Sequence, residues 1–439
     1  MTSQVSPRVA DTTAPLATVR RRLALPRGAA FIGTALAAVG LYLASGAPTP
    51  ILLLLQQEWG FRSWALTLAF AAYAFGLIAA LLVTGKLSDH IGRRPVLIVA
   101  LAVQAVAMLG FVVASDIWWV TAARTLQGIA TGAATSAFTA SMVELAPERF
   151  KRLGSIMGGA VPPAGLALGA LFAGLAMQFT TSADAVVFAV LAVVAVLGLV
   201  VAVLAPETST RRSGAVRSLI PRIAVPRAAR AEFGAAVPGI VATWTLGALF
   251  LGLGPTIVLR VFHIDSGAVD GITAFAAPAA AAVVGFVLGR IAVRRVLLFA
   301  VVAVFIGGAL IVASVNAGSL TLFIVGGVIG GSGFGASLSG ALRVLTGIAQ
   351  PHERAGVFAA VYTVAYLAFG LPAIAGGLLI APLGLTSTVV LYGIVIALAA
   401  IVGLLAQQRL ITRQRRAATA LAKAERAAGC PTTGCTATV

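Results

Sequence analysis

The chain has 439 residues, is 60% hydrophobic and 10% charged, and carries a mean hydropathy of +1.03 and a formal net charge of +18. Soluble domains are about half apolar and a quarter charged, so this composition exceeds what one aqueous core can hide and points to a bilayer as solvent. So large a positive charge would ordinarily suggest nucleic acid; its placement argues for membrane topology instead, and no nucleic-acid partner is expected.

Residues 1–28 are polar and are expected to form a disordered cytoplasmic tail. Arg20-Arg21-Arg22, the apolar run from Ala29 and the stretch Ala44-Ser45-Gly46-Ala47 look like a secretory or twin-arginine signal. The run is long enough to span and many more follow, so we read it as an uncleaved first transmembrane helix. A spanning helix needs about 20 apolar residues. That criterion gives twelve spans: 29–57, 64–85, 95–114, 118–143, 153–178, 184–205, 233–258, 269–289, 295–315, 319–346, 355–381 and 384–407. The first is overlong and contains Pro48 and Pro50, which predicts a kink or a short re-entry.

Charge placement orients the layout. Of 31 Lys and Arg, Arg62 and Arg260 fall in loops on one side, Arg124 falls inside a span, and the other 28 fall on the opposite side. That is a positive-inside pattern with both termini cytoplasmic, in a multi-pass protein of the plasma membrane. The basic segment 206–232 reads as a cytoplasmic linker between residues 29–205 and 233–408, and residues 409–439 as a basic cytoplasmic tail. Cys430 and Cys435, four residues apart without a companion His or Cys, read as reduced thiols, and no metal site is expected.

Between the second and third spans lies Gly85-Lys86-Leu87-Ser88-Asp89-His90-Ile91-Gly92-Arg93-Arg94-Pro95. It resembles the signature of the major facilitator superfamily of secondary transporters, Gly-x-Leu-x-Asp-x-x-Gly-Arg-(Arg/Lys), with every fixed position met. The resemblance covers roughly residues 29–408. It implies an all-α membrane protein of twelve transmembrane helices in two pseudo-symmetric six-helix halves that rock about a midplane site. It also implies a monomer, a small-molecule substrate and no cofactor. Gly289-Arg290-Ile291-Ala292-Val293-Arg294-Arg295, 204 residues on, stands where a second copy is expected and lacks the aspartate.

The hinge residues Gly85, Asp89, Gly92, Arg93 and Arg94, with Glu144, read as a conformational latch. The glycines let backbones turn or approach, and Asp89 is placed to cap or neutralise a helix N-terminus. By the resemblance, Asp89 contacts the start of the eleventh span and Arg93 pairs with an acid at the inner end of the fourth, for which Glu144 is the candidate. A solvated positive-inside loop is the plainer alternative.

The fourth span holds Arg124, a charge at membrane depth and so a functional site by default. At about 100° per residue, Arg124, Gln127, Gly128, Thr131 and Thr135 form one polar stripe. Arg124-x-x-Gln127-Gly128 is similar to a fourth-span motif that the family's exporters link to proton transfer. Snorkelling of Arg124 to the interface near Trp118 and Trp119 is the alternative.

On the fifth span Gly154, Gly158, Gly159, Pro162, Pro163, Gly165 and Gly169 are similar to the glycine-proline motif of drug/proton antiporters, a partial match that equally serves close packing. The tenth span carries Gly330-Gly331-Ser332-Gly333-Phe334-Gly335 with Ser339 on the face of Ser332. Neither a preceding strand nor a following Lys makes it a phosphate loop. Trp244 and Thr245 on the seventh span and Tyr362 and Tyr366 on the eleventh are candidate cavity residues, or interfacial aromatics.

All thirteen acids are assignable to tails, loops or span ends, Asp184 and Glu144 being the nearest to a coupling carboxylate. A neutral, lipophilic or anionic substrate meeting Arg124 therefore fits better than a cation. The expectation is proton-coupled efflux of such compounds, with uptake of a small metabolite such as an organic anion or sugar as the alternative. Scarce Asn and Gln disfavour sugars. An enzyme is disfavoured by the wide separation of His90, His263 and His352, and a primary pump by the lack of a nucleotide-binding motif.

Overall fold

The computed structural model describes residues 25–427 except 222, 289–290 and 351–352. Arg20–Arg22, Cys430, Cys435 and the Gly289-Arg290 pair of the second hinge copy lie outside the described residues. The helices are α1 (Arg27–Gly46), α2 (Pro48–Trp59), α3 (Ser63–Thr84), α4 (Leu87–Ile91), α5 (Arg93–Val112), α6 (Ile117–Leu145), α7 (Lys151–Phe179) and α8 (Ala183–Leu204). They continue with α9 (Ala215–Ser218), α10 (Arg230–Val261), α11 (Gly267–Val287), α12 (Val293–Ala317), α13 (Leu320–Ile348), α14 (Arg354–Leu383) and α15 (Leu385–Ala427).

Among the described residues, eleven helices are long and apolar enough to cross a membrane, α1 and α2 counting as one. The twelfth is α6, whose 29 residues suffice in length but whose polar stripe lowers its hydropathy. That shortfall is itself a signal, because polar groups at membrane depth are retained only with a partner or a use. α1 and α2 make no re-entry: Ala47 between them keeps helical dihedrals, and the chain resumes as a helix at Pro48. α15 runs well past the end expected at 407. Its basic extension is pinned through Gln414, whose Nε2 donates to Glu232 at 3.0 Å and whose Oε1 accepts from Arg294.

The helices pack as two bundles. In one, α6 lies against α3 and α5, and α7 against α1; in the other, α13 lies against α12 and α11, and α15 against α10. The bundles meet along two helix pairs, α7 with α11 and α3 with α14. The second span pairs with the eleventh and the fifth with the eighth, as a two-fold exchange of six-helix units requires. Close approaches along these seams lie at the end opposite the hinge: Gly174 touches Gly267 and Gly271, and Thr67 touches Gly377. Outward faces are lined by exposed apolar side chains such as Val99, Val106, Leu197, Val283 and Leu398. In water such an exterior would aggregate; against lipid tails it is at home.

Candidate functional site

The site is built around α6. Asp116 accepts from the amides of Trp118 and Trp119 at 2.7 and 3.0 Å and so fixes where this helix starts. α3 crosses α6 at backbone contact. Gly76 faces the carbonyl of Thr125, Gly128 that of Tyr73, and Gly132 that of Leu77, and a Cβ at any of them would meet the carbonyl oxygen. The close crossing slides Tyr73 and Phe70 under Arg124, whose guanidinium carbon lies 4.6 and 5.6 Å from the two ring centroids. A desolvated cation over a ring gains about 2 kcal/mol.

On the other side stands α1, and here its break acquires a meaning. Pro48 has no N–H to give the carbonyl of Ala44, four residues earlier. Gln127 Nε2 donates to that oxygen at 2.6 Å. Arg124 Nη1 donates to Gln127 Oε1 at 2.7 Å and to Ser45 O at 3.3 Å. The ladder continues with Ser45 Oγ to Thr131 Oγ1 at 3.3 Å and Tyr42 Oη to Thr135 Oγ1 at 3.1 Å. Arg124 is 1% exposed, so it does not snorkel. Among the described residues it pairs with no carboxylate, and its Nε is buried without a partner. A buried charge lacking a counter-ion costs several kcal/mol, which such neutral acceptors offset in part.

The second bundle faces this cation with aromatic rings. Trp244 lies 4.8 Å from Phe334, 4.9 Å from Tyr366 and 6.0 Å from Phe369, centroid to centroid. Phe70 joins the two sides, 5.1 Å from Phe369 and beneath Arg124. Tyr362 stands 6.2 Å from Tyr366, both half-buried, and the Trp244 Nε1 donor is buried without a partner. Four of the chain's five tyrosines, Tyr42, Tyr73, Tyr362 and Tyr366, gather around this centre. Chemically, the arrangement offers a positive charge beside an apolar wall of tilted and edge-on rings with spare donors.

At the hinge, Arg93 is the hub. Its guanidinium donates to Ser88 Oγ at 2.8 Å, to Glu144 Oε1 at 3.2 Å and to Asp89. The expected Arg93–Glu144 pair is present. Asp89, however, is taken by Arg93 rather than by the start of α14, which is met instead by the linker through Ala224 N to Gly356 O at 3.5 Å. Nor does Asp89 cap the helix that follows. That role falls to Glu207 in the linker, whose two oxygens accept from the amides of Arg93 and Arg94 at 2.8 and 3.1 Å. Gly92 allows it: its φ is 103°, and a Cβ there would strike the Glu207 carboxylate. Arg94 donates to Val203 O, and Thr208 to Glu144. Gly85 ends α3 against the carbonyl of Leu81.

Not every expected residue joins the centre. Ser332 and Ser339 satisfy their hydroxyls on their own helix and share a face with exposed Val325 and Val328, away from Phe334. The α13 glycines pack, Gly331 and Gly335 onto α11 and Gly330 onto Leu246. Pro162 lies inside α7 and is not drawn into the Arg124 network; nearby Gly165 and Gly169 press on α1 at Tyr42 and Leu43. Sequence reasoning passed over Tyr42, Ser45, Phe70, Tyr73 and Glu207. Only Glu207, in the Pro206-Glu207-Thr208 run that follows α8, carried a local cue. It also placed Asp270 at a span end; Asp270 is there, but 5% exposed with one oxygen unpartnered.

Comparison with known proteins agrees with this frame. The family model described as Major Facilitator Superfamily matches residues 34–314. A D-xylose transporter of Levilactobacillus brevis is 28% identical over 103 residues, 24% of this chain and 22% of that protein. The 4-hydroxybenzoate transporter PcaK of Pseudomonas aeruginosa is 31% identical over 99 residues, 23% of this chain and 22% of its own length. The matches thus span about a fifth of these relatives. Among solved structures, the human organic anion transporter MFSD10 (TETRAN) superposes with a TM-score of 0.64 at 16% identity, covering 86% of this chain and all of that one. A bacterial homolog of the human lysosomal transporter Spinster, inward-facing and occupied, gives 0.68 at 13% identity, covering 87% and 97%. At such identities the likeness is one of fold.

Proposed function

Because the chain belongs to the Major Facilitator Superfamily, we propose that it is a proton-coupled secondary transporter that exports small organic anions with an aromatic or lipophilic body. One observation carries the reading: Arg124 is buried at the centre with no carboxylate partner, beside a wall of Trp244, Phe334, Tyr366 and Phe369. A substrate carboxylate would supply the missing counter-ion, and its ring or chain would lie on the aromatics. Gln127 holds Arg124 in place by accepting from its guanidinium, and the hydroxyls of Thr131 and Thr135 continue the polar ladder along α6. Trp244 and Tyr362 offer donors from the other half.

The hinge end, which gathers nearly all the Lys and Arg, is the cytoplasmic end. There the latch of Asp89, Arg93, Arg94, Glu144 and Glu207 holds the first half to the linker, and its rearrangement accompanies alternating access. With the interior negative, outward movement of a monoanion gains about 2.3 kcal/mol per 100 mV; this favours export. Uptake of an aromatic acid is the second reading, supported by the short match to the 4-hydroxybenzoate transporter. A sugar substrate has less support, since few amides or carboxylates line the centre.

The test is transport in proteoliposomes of a benzoate-type acid, its neutral amide and a benzylammonium of the same shape, with and without an imposed proton gradient. Movement of the acid alone, increased by the gradient and lost in Arg124→Ala, is expected. Equal transport of all three, or of the cation alone, overturns the anion reading.

A further inference from the structure

Asp270 stands apart from the centre, at the seam between the halves opposite the hinge. α7 and α11 touch there at backbone distance, Gly174 against Gly271 and Gly267 against Met177. Asp270, in the first turn of α11, is 5% exposed, and its Oδ1 is buried with no hydrogen-bond donor. It borders a cavity of about 480 Å³ whose lining also includes Gln57 of α2, Gln178 of α7, Asp265 and Ser266. The start of α11 does not need this carboxylate. Ser266 Oγ accepts from the amide of Val269, and Gln178 Oε1 from the amide of Ala268, each at 3.5 Å.

The charges around it are telling. The charged group facing Asp270 is Asp265, of the same sign, and α2 and α7 present the neutral amides of Gln57 and Gln178. No cation among the described residues pairs with it. An ionised carboxylate here would lose hydration without a donor or a counter-charge in return. We propose that Asp270 is a proton-binding site that gates this seam: it takes a proton as α7 and α11 close on it and releases that proton when the seam opens to water. The step adds one proton to one carboxylate oxygen. It deepens the transport reading by naming the residue at which the coupling proton is exchanged on the side opposite the hinge.

Opening can be measured without any substrate, so the result is independent of the anion reading. Spin labels at Thr181→Cys and Asn316→Cys, in a background of Cys430→Ser and Cys435→Ser, report the separation of the halves at this end by pulsed dipolar spectroscopy in nanodiscs. In the parent protein the short-distance population is expected to dominate at pH 5.5 and to fall at least threefold at pH 8.5. Asp270→Asn, which mimics the protonated form, is expected to keep the short distance at both values. Asp270→Glu, which can still ionise, and Asp184→Asn, an acid at the same end but off the seam, are expected to follow the parent. A full pH response in Asp270→Asn, or none in the parent, overturns the proposal. Should Asp270→Asn fail to fold, a pH-insensitive Asp270→Glu protein overturns it equally.

Discussion

α6 and α13 are each 29 residues long and start at Ile117 and Leu320, after side-chain caps from Asp116 and Ser319. Both cross a neighbour through paired glycines, Gly128 and Gly132 on the carbonyls of Tyr73 and Leu77, Gly331 and Gly335 on those of Ala277 and Ala281. At the same register their centre-facing positions differ. Arg124, Gln127, Thr131 and Thr135 on α6 correspond to Gly327, Gly330, Phe334 and Leu338 on α13. A repeated backbone frame thus carries two chemistries: one half supplies a charge and its acceptors, the other an apolar wall. The frame is a packing solution that small residues enforce, so it survives repetition, while the side chains between crossings are free to diverge.

Removing the charge tests this division most severely. Arg124→Ala is expected to cut transport of an organic acid at least 100-fold in proteoliposomes while leaving the helical circular dichroism unchanged. Retained transport would make Arg124 a structural residue. Gln127→Glu sharpens the point, because it puts a carboxylate 2.7 Å from Nη1 and supplies an internal counter-ion. If the substrate's anion fills that role, its affinity should drop about tenfold, roughly 1.4 kcal/mol. An unchanged affinity by tryptophan-fluorescence titration would contradict it.

The shared frame predicts a matched pair. Gly128→Ala and Gly331→Ala each drive a Cβ onto a carbonyl and should destabilise by about 1–3 kcal/mol, as overpacking does. Thermal denaturation in detergent should show similar drops in Tm for the two, yet only Gly128→Ala should also weaken anion binding, since it moves Tyr73 from beneath Arg124. A large difference in Tm would break the equivalence of the two crossings. The smallest effect is expected at the hinge, where charges are paired and partly exposed. Glu207→Gln keeps an acceptor but loses the charge that faces two helix-start amides, and should cost about 1 kcal/mol, seen as a small Tm shift and a few-fold change in transport rate.

The sequence by itself determined the solvent, the span layout and the hinge, because each rests on one-dimensional quantities: the length of apolar runs and a contiguous motif. It also singled out Arg124 with Gln127, Thr131 and Thr135, since a polar stripe at helical spacing stands out on an apolar helix. Tertiary structure alone decided what those residues face. Tyr73 and Phe70 reach Arg124 because glycines let α3 and α6 touch, and nothing within α3 marks these rings. Ala44 became an acceptor through the pairing of a proline on one helix with a glutamine on another. Ser332 and Ser339 were plausible by spacing and were turned away by the neighbours that α13 chose. Glu207 and Asp270 read as ordinary span-end acids until folding brought a helix start to one and closed a seam over the other. Burial and partnership are properties of the space between helices, which no single segment encodes.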